Sequence, residues 1–128
     1  MSTQTTPVTG VDFVVVPTDD FDTSVRFYGE TLGLPQTARY GQMPGAEFET
    51  GTLTLAVLEM EAFGQEFRPS SSAIALRVDD VAATRADLEG RGVAFHGDIV
   101  DSGVCHQAYF ADPAGNPLIL HHRYAPRG

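Results

Sequence analysis

The chain has 128 residues, enough for one domain that buries its own core without staples. Hydrophobic residues make up 42% and charged residues 20%, the balance of an ordinary globular protein. A net charge of −9 repels phosphate backbones and argues against a nucleic-acid partner. No apolar run approaches membrane-spanning length; the nearest, residues 11–16, contains Asp12. The lone cysteine, Cys105, cannot close an internal disulfide, which points to a reducing cytoplasm. Residues 1–10 are polar and Thr-rich, with neither the basic nor the apolar segment of a secretory leader.

Residues 11–17 are mostly Val and Phe, ended by Pro17 and an Asp pair, and predict a strand. Asp19 and Asp20 then offer N-caps. Phe21, Val25, Tyr28 and Leu32 follow at helical spacing and form one apolar face. Gly33 and Pro35 stop that helix. Three strands are expected at 37–40, 46–49 and 52–59, with Gly41, Pro44, Gly45 and Gly51 in the turns. A linker rich in Gly, Pro and Ser occupies 64–72.

The pattern then restarts. A strand is expected at 73–78, Asp79 and Asp80 as caps, a helix at 81–89, and strands at 93–95, 103–110 and 117–124. Asp20 and Asp80 are 60 residues apart, Gly33 and Gly92 are 59, and Gly51 and Gly115 are 64. This is an internal repeat of strand, helix and three strands. One half has a single helix to cover one sheet face, so the other face needs a partner half. Two curved sheets facing one another leave a cleft suited to a small molecule.

Three stretches carry a family resemblance: 11–20 running into Phe27, Tyr28, Leu32 and Gly33; 74–80, ending on its Asp pair; and 108–116, with Asp112, Pro113, Gly115 and Asn116. In this order they resemble the glyoxalase/bleomycin resistance protein/extradiol dioxygenase, or vicinal oxygen chelate, superfamily. The resemblance implies an α+β fold of two βαβββ modules whose curved mixed sheets form a cup. It places a single domain at 10–124, with module one at about 10–62, a linker at about 63–72 and module two at about 73–124. Residues 1–9 and 125–128 are then flexible ends. It also implies a homodimer, commonly with the cup completed across chains.

Many family members hold a divalent metal. The positions that the resemblance assigns to its ligands fall on Phe13, Ala73 and Ile119, and a fourth used by some members falls near Leu55. None of these side chains has an O, N or S donor, so no metal ligand is carried over and no cofactor is expected.

Strand alternation with a hairpin at 112–116 pairs Gln107 with His121 and Tyr109 with Ile119. Cys105, Gln107, Tyr109, Ile119 and His121 then share the cup wall, and Ala108, Phe110, Leu118 and Leu120 lie under the helices. His106 and His122 point away. Neighbouring strand residues diverge, so Cys105 and His106 do not pair, and Cys105 reads as a quiet thiol. Glu47, Glu49 and Glu59 are the acidic residues nearest the cup. Expected ligand-binding residues are therefore Phe13, Val15, Leu55, Ala73, Gln107, Tyr109, Ile119 and His121. The leading functional expectation is a metal-free protein that binds or sequesters a small apolar or aromatic molecule. Two alternatives stand beside it. One is a lyase, isomerase or dioxygenase-type enzyme, metal-free with His121 as base or with relocated metal ligands. The other is a non-catalytic structural or regulatory domain.

Overall fold

A computed structural model describes residues 6–126. The flexible ends expected at 1–9 and 125–128 fall in part on 1–5 and 127–128, outside the described residues. Strand β1 (Phe13–Thr18) leads to helix α1 (Phe21–Arg26), which widens into a π-helical turn at Phe27–Thr31. Strands β2 (Gln36–Arg39), β3 (Gly45–Glu49) and β4 (Thr54–Glu59) follow, then a 3-10 turn at Met60–Phe63. The second half comprises β5 (Ile74–Arg77), α2 (Val81–Gly90), β6 (Phe95–Asp101), β7 (Cys105–Ala111) and β8 (Pro117–Arg123). The sheets run β1-β4-β3-β2 and β5-β8-β7-β6, with the outer pairs β1/β4 and β5/β8 parallel. This is the two-module βαβββ architecture, α+β with mixed sheets.

Both Asp pairs act as caps through their second member. Asp20 accepts from the Thr23 amide at 3.2 Å, and Asp80 from the Ala83 amide at 2.9 Å. In α1 and the π turn after it the buried side chains are Phe21, Ser24, Phe27 and Tyr28, whereas Val25 and the following Leu32 are half-buried. The π turn is responsible: Leu32 N–H reaches back five residues to the Phe27 carbonyl at 2.9 Å. The wider turn brings the consecutive Phe27 and Tyr28 to the inner side together.

Strand β6 is longer than its sequence predicts. Its residues from His96 onward are exposed, and the only apolar side chains among them, Ile99 and Val100, are adjacent, so no hydrophobic alternation announces them. It is an edge strand held to β7 by backbone bonding, with an irregularity between His96 and Val100.

Both halves feed one core. Val16, Phe48, Leu55 and Val57 join Val81, Leu88, Phe110, Leu118 and Leu120 in a single cluster. A buried polar network crosses the same junction. The Tyr28 hydroxyl donates to Asp112 at 2.6 Å, and Asn116 Nδ2 donates to Asp112 at 2.8 Å and to the Pro17 carbonyl at 2.7 Å. Asn116 Oδ1 accepts from Ser70 N–H at 2.8 Å, which ties the linker to the junction. The hairpin at 112–116 is turn chemistry as expected, since Asp112 also accepts from the Ala114 and Asn116 amides. Burial, then the Asp112 charge, pushes the Tyr28 phenol far above its ordinary range.

Candidate functional site

Strand register decides which residues share a face. In the first sheet Val14, Val16, Leu55, Val57, Ala46 and Phe48 turn toward the helices and the core. The concave face is therefore Phe13 beside Thr54 and Glu49, Val15 beside Ala56 and Glu47, and Pro17 beside Leu58 and Gly45. In the second sheet Ala75, Ile119, Tyr109 and His96 form one concave row, and Arg77, His121 and Gln107 the next. Gln107 pairs with His121 and Tyr109 with Ile119, the register expected from alternation.

Leu55 corrects the expected set. It is fully buried and packs with Val57 on the helix side, and its neighbour Ala56 takes the concave position. Counting toward a strand without its register misplaces a residue by one, and one residue reverses the face. Glu59 is likewise on the helix side, where it accepts from Phe21 N–H at 3.2 Å and supplements the cap of α1. Glu49 accepts from Gly51 N–H and the Thr54 hydroxyl, so it braces the β3–β4 turn. Glu47 and Glu49 both stand on the concave face, and Glu47 is the one not spent on the turn.

Within one chain the two concave faces stay open. Phe13 is 49% exposed, Val15 39% and Tyr109 36%. Ile119, His121 and Gln107 are half-buried. Val15 and Ala73 do meet, in a cleft of about 360 Å³ at the seam between β1 and β5, together with Pro17, Ala75 and Pro117. Phe13, Tyr109, Ile119 and His121 line none of the three main clefts of the described surface.

Polar groups on the second face form a chain. The Tyr109 hydroxyl donates to Gln107 Oε1, and Gln107 Nε2 donates to Cys105 Sγ at 3.5 Å. The Ser102 hydroxyl lies 3.0 Å from the same sulfur. Ser102, then Gln107, holds the buried thiol below its ordinary range. No side chain among the described residues hydrogen-bonds the His121 ring. His106 and His122 lie on the other face: His106 is 3.3 Å from Asp101, and His122 Nδ1 is 3.1 Å from the Val78 carbonyl.

On the first face the Tyr40 hydroxyl donates to Glu47, a contact that sequence reasoning missed. The phenol is pushed up to about 12, by desolvation first and then by the Glu47 bond. Tyr40 lies over Gly45, where an added Cβ would sit 2.3 Å from its ring carbon Cδ2. Gly45→Ala is therefore expected to displace Tyr40, break its bond to Glu47 and cost about 1–3 kcal/mol. Urea unfolding measures the loss. Ultraviolet titration of tyrosinate would show Tyr40 ionising nearer its ordinary value.

The residues do not fit a metal at the positions the resemblance assigns. Phe13, Ala73 and Ile119 offer carbon only, and Ala56 replaces Leu55 on the face without supplying a donor. Among the described residues no group of three or more His, Cys, Asp or Glu side chains converges as a metal site. No helix among them is long and apolar enough to cross a membrane.

Comparison with solved structures returns the same architecture. The chain is similar to TnmS3, an antibiotic binding protein from Streptomyces sp. CB03234, at 28% identity and a TM-score of 0.77, over 93% of this chain and 99% of that one. It shares its fold with a putative glyoxalase family protein from Bacillus anthracis, at 21% identity and TM-score 0.76, over 94% and 99% of the two chains. It also shares it with a lactoylglutathione lyase from Agrobacterium tumefaciens, at 16% identity and TM-score 0.75, over 91% and 95%. A search of curated proteins returns no match. The model of the Glyoxalase/Bleomycin resistance protein/Dioxygenase superfamily matches residues 10–120, and the chain belongs to that superfamily.

Proposed function

We propose that this protein binds and sequesters a small apolar or aromatic molecule against its concave sheets, without a metal, as a cytoplasmic homodimer. The observation that carries the reading is the exposure of Phe13, Val15 and Tyr109 on faces whose assigned metal positions are apolar. Large apolar groups exposed in a row mark a surface awaiting a ligand or partner. In a homodimer, a second copy would set its sheet over the first and turn two open faces into an enclosed cup. Residues 10–124 would then act as one domain. Phe13, Val15, Tyr109 and Ile119 would supply apolar contact, and Gln107, His121 and Glu47 the polar anchors. The similarity to an antibiotic binding protein supports binding of a small molecule.

Isothermal calorimetry with naphthalene- and indole-based compounds, beside light scattering for mass, tests the reading. Expected are a dimer mass and saturable binding with a negative heat-capacity change. A monomer that gives no heat and no thermal shift with any compound would overturn it. A second reading, a metal-free lyase or isomerase with His121 as base, draws on the place of His121 between Arg77 and Gln107 on the open face. His121→Ala separates the two: under the binding reading it weakens affinity modestly, and under the enzymatic one it abolishes turnover with affinity kept.

A further inference from the structure

The two junctions between the modules are related by the internal repeat, yet they are filled differently. At the first, the Tyr28 ring from the π turn after α1 meets the 112–116 turn, and Asp112 and Asn116 bond across it. One repeat on, 60 residues along, the place of Tyr28 is taken by Leu88 of α2. The β3–β4 turn, braced by Glu49, stands where the 112–116 turn stood, with Leu53 preceding its strand. Leu88 lacks the ring and hydroxyl with which Tyr28 spans its junction. A cleft of about 440 Å³ remains there, within the size range of small-molecule sites.

The lining of this cleft has two parts. Its floor is core: Leu55, Leu88 and Leu120, all buried, flanked by Leu32, Leu53 and Ile74. Its rim carries the hydroxyls of Thr31 and Thr84, neither of which has a hydrogen-bond partner among the described residues. Three charged residues line the cleft, Arg77, Asp87 and Arg91; Arg77 stands in the concave row beside His121, and the other two pair with each other. Arg91 Nε lies 3.3 Å from Asp87, and Arg91 Nη1 donates to the Glu30 and Thr31 carbonyls at 3.3 and 3.4 Å. An ion entering between Asp87 and Arg91 would find its counter-charge already engaged. An apolar floor beneath free hydroxyls, with the helix-side charges paired to each other, suits an uncharged amphiphile instead.

We propose that this second junction is a binding site, separate from the concave faces, for a small uncharged amphipathic molecule: an aliphatic or alicyclic body carrying one hydroxyl or carbonyl group. Leu53, Ile74 and Leu88 enclose the body, and Thr31 and Thr84 bond the polar group.

Methyl-detected NMR titration with 1-octanol and menthol, beside octanoate and octylammonium, tests it on the full chain. The alcohols are expected to shift the methyls of Leu53, Ile74 and Leu88, with the charged analogues at least about tenfold weaker. Thr84→Trp, on a half-buried helix position at the rim, should fill the cleft and remove these shifts. Leu53→Phe serves the same purpose from the opposite wall, should the first variant fail to fold. Phe13→Ala with Tyr109→Ala should leave the shifts unchanged, so failure of the cup reading would not touch this one. Shifts confined to the concave faces, equal binding of the charged analogues, or binding unaltered in both filled variants would overturn the proposal.

Discussion

Asp112→Ala should lower the melting temperature by about 10 °C or more, a loss of about 3–4 kcal/mol. The side chain accepts from the Tyr28 hydroxyl, the Asn116 amide and two backbone N–H groups, and it is only 5% exposed. Removing it strands donors on Tyr28 and Asn116, which are 0% and 2% exposed and cannot recruit water without opening the junction. Each buried donor left unpaired costs about 1–3 kcal/mol. Tyr28→Phe should cost less, about 1 kcal/mol, because Asp112 keeps three donors and the ring still fills its site. The double variant should be less destabilised than the sum, since the second change removes a donor that the first had orphaned. Calorimetric melting of the three variants measures this. A fully additive result would show that the Tyr28–Asp112 bond contributes nothing of its own.

The second large effect concerns the proposed cup. Phe13→Ala combined with Tyr109→Ala should weaken binding of an apolar or aromatic ligand about hundredfold, from about 1.5 kcal/mol or more for each ring. Folding stability should change little, because both rings are substantially exposed in the single chain and contribute little to its core. Titration calorimetry and melting of the same preparation read the two quantities separately. Undiminished affinity would move the ligand off these faces.

The repeat and its punctuation made the fold legible. Asp20 and Asp80 cap through side-chain geometry that local sequence encodes, and the alternation in 105–111 and 117–123 carried the pairing of Gln107 with His121. Three features were not legible, each for a physical reason. The π turn at 27–31 is set by two adjacent aromatics seeking the same core, which regular 3.6-residue periodicity does not represent. Strand β6 beyond Phe95 packs little and is specified by its neighbour's backbone. Tyr40 reaches Glu47 only because Gly45 lacks a side chain, a vacancy visible once the hairpin is folded. Leu55 shows the sharper limit: the expectation named the right strand and the wrong face.

The polar bridge between the modules also bears on how the chain arose and what it can still exchange. A duplicated unit begins with interchangeable halves, but these have become lock and key. Tyr28 sits opposite Asp112, whereas a second copy of the first half would offer Thr50 at the matching turn position, whose hydroxyl already donates to the Leu53 carbonyl. The second half brings Leu88, which asks for no acceptor at all. The order of the modules is thus written into one hydroxyl and one carboxylate, and neither half can stand in for the other.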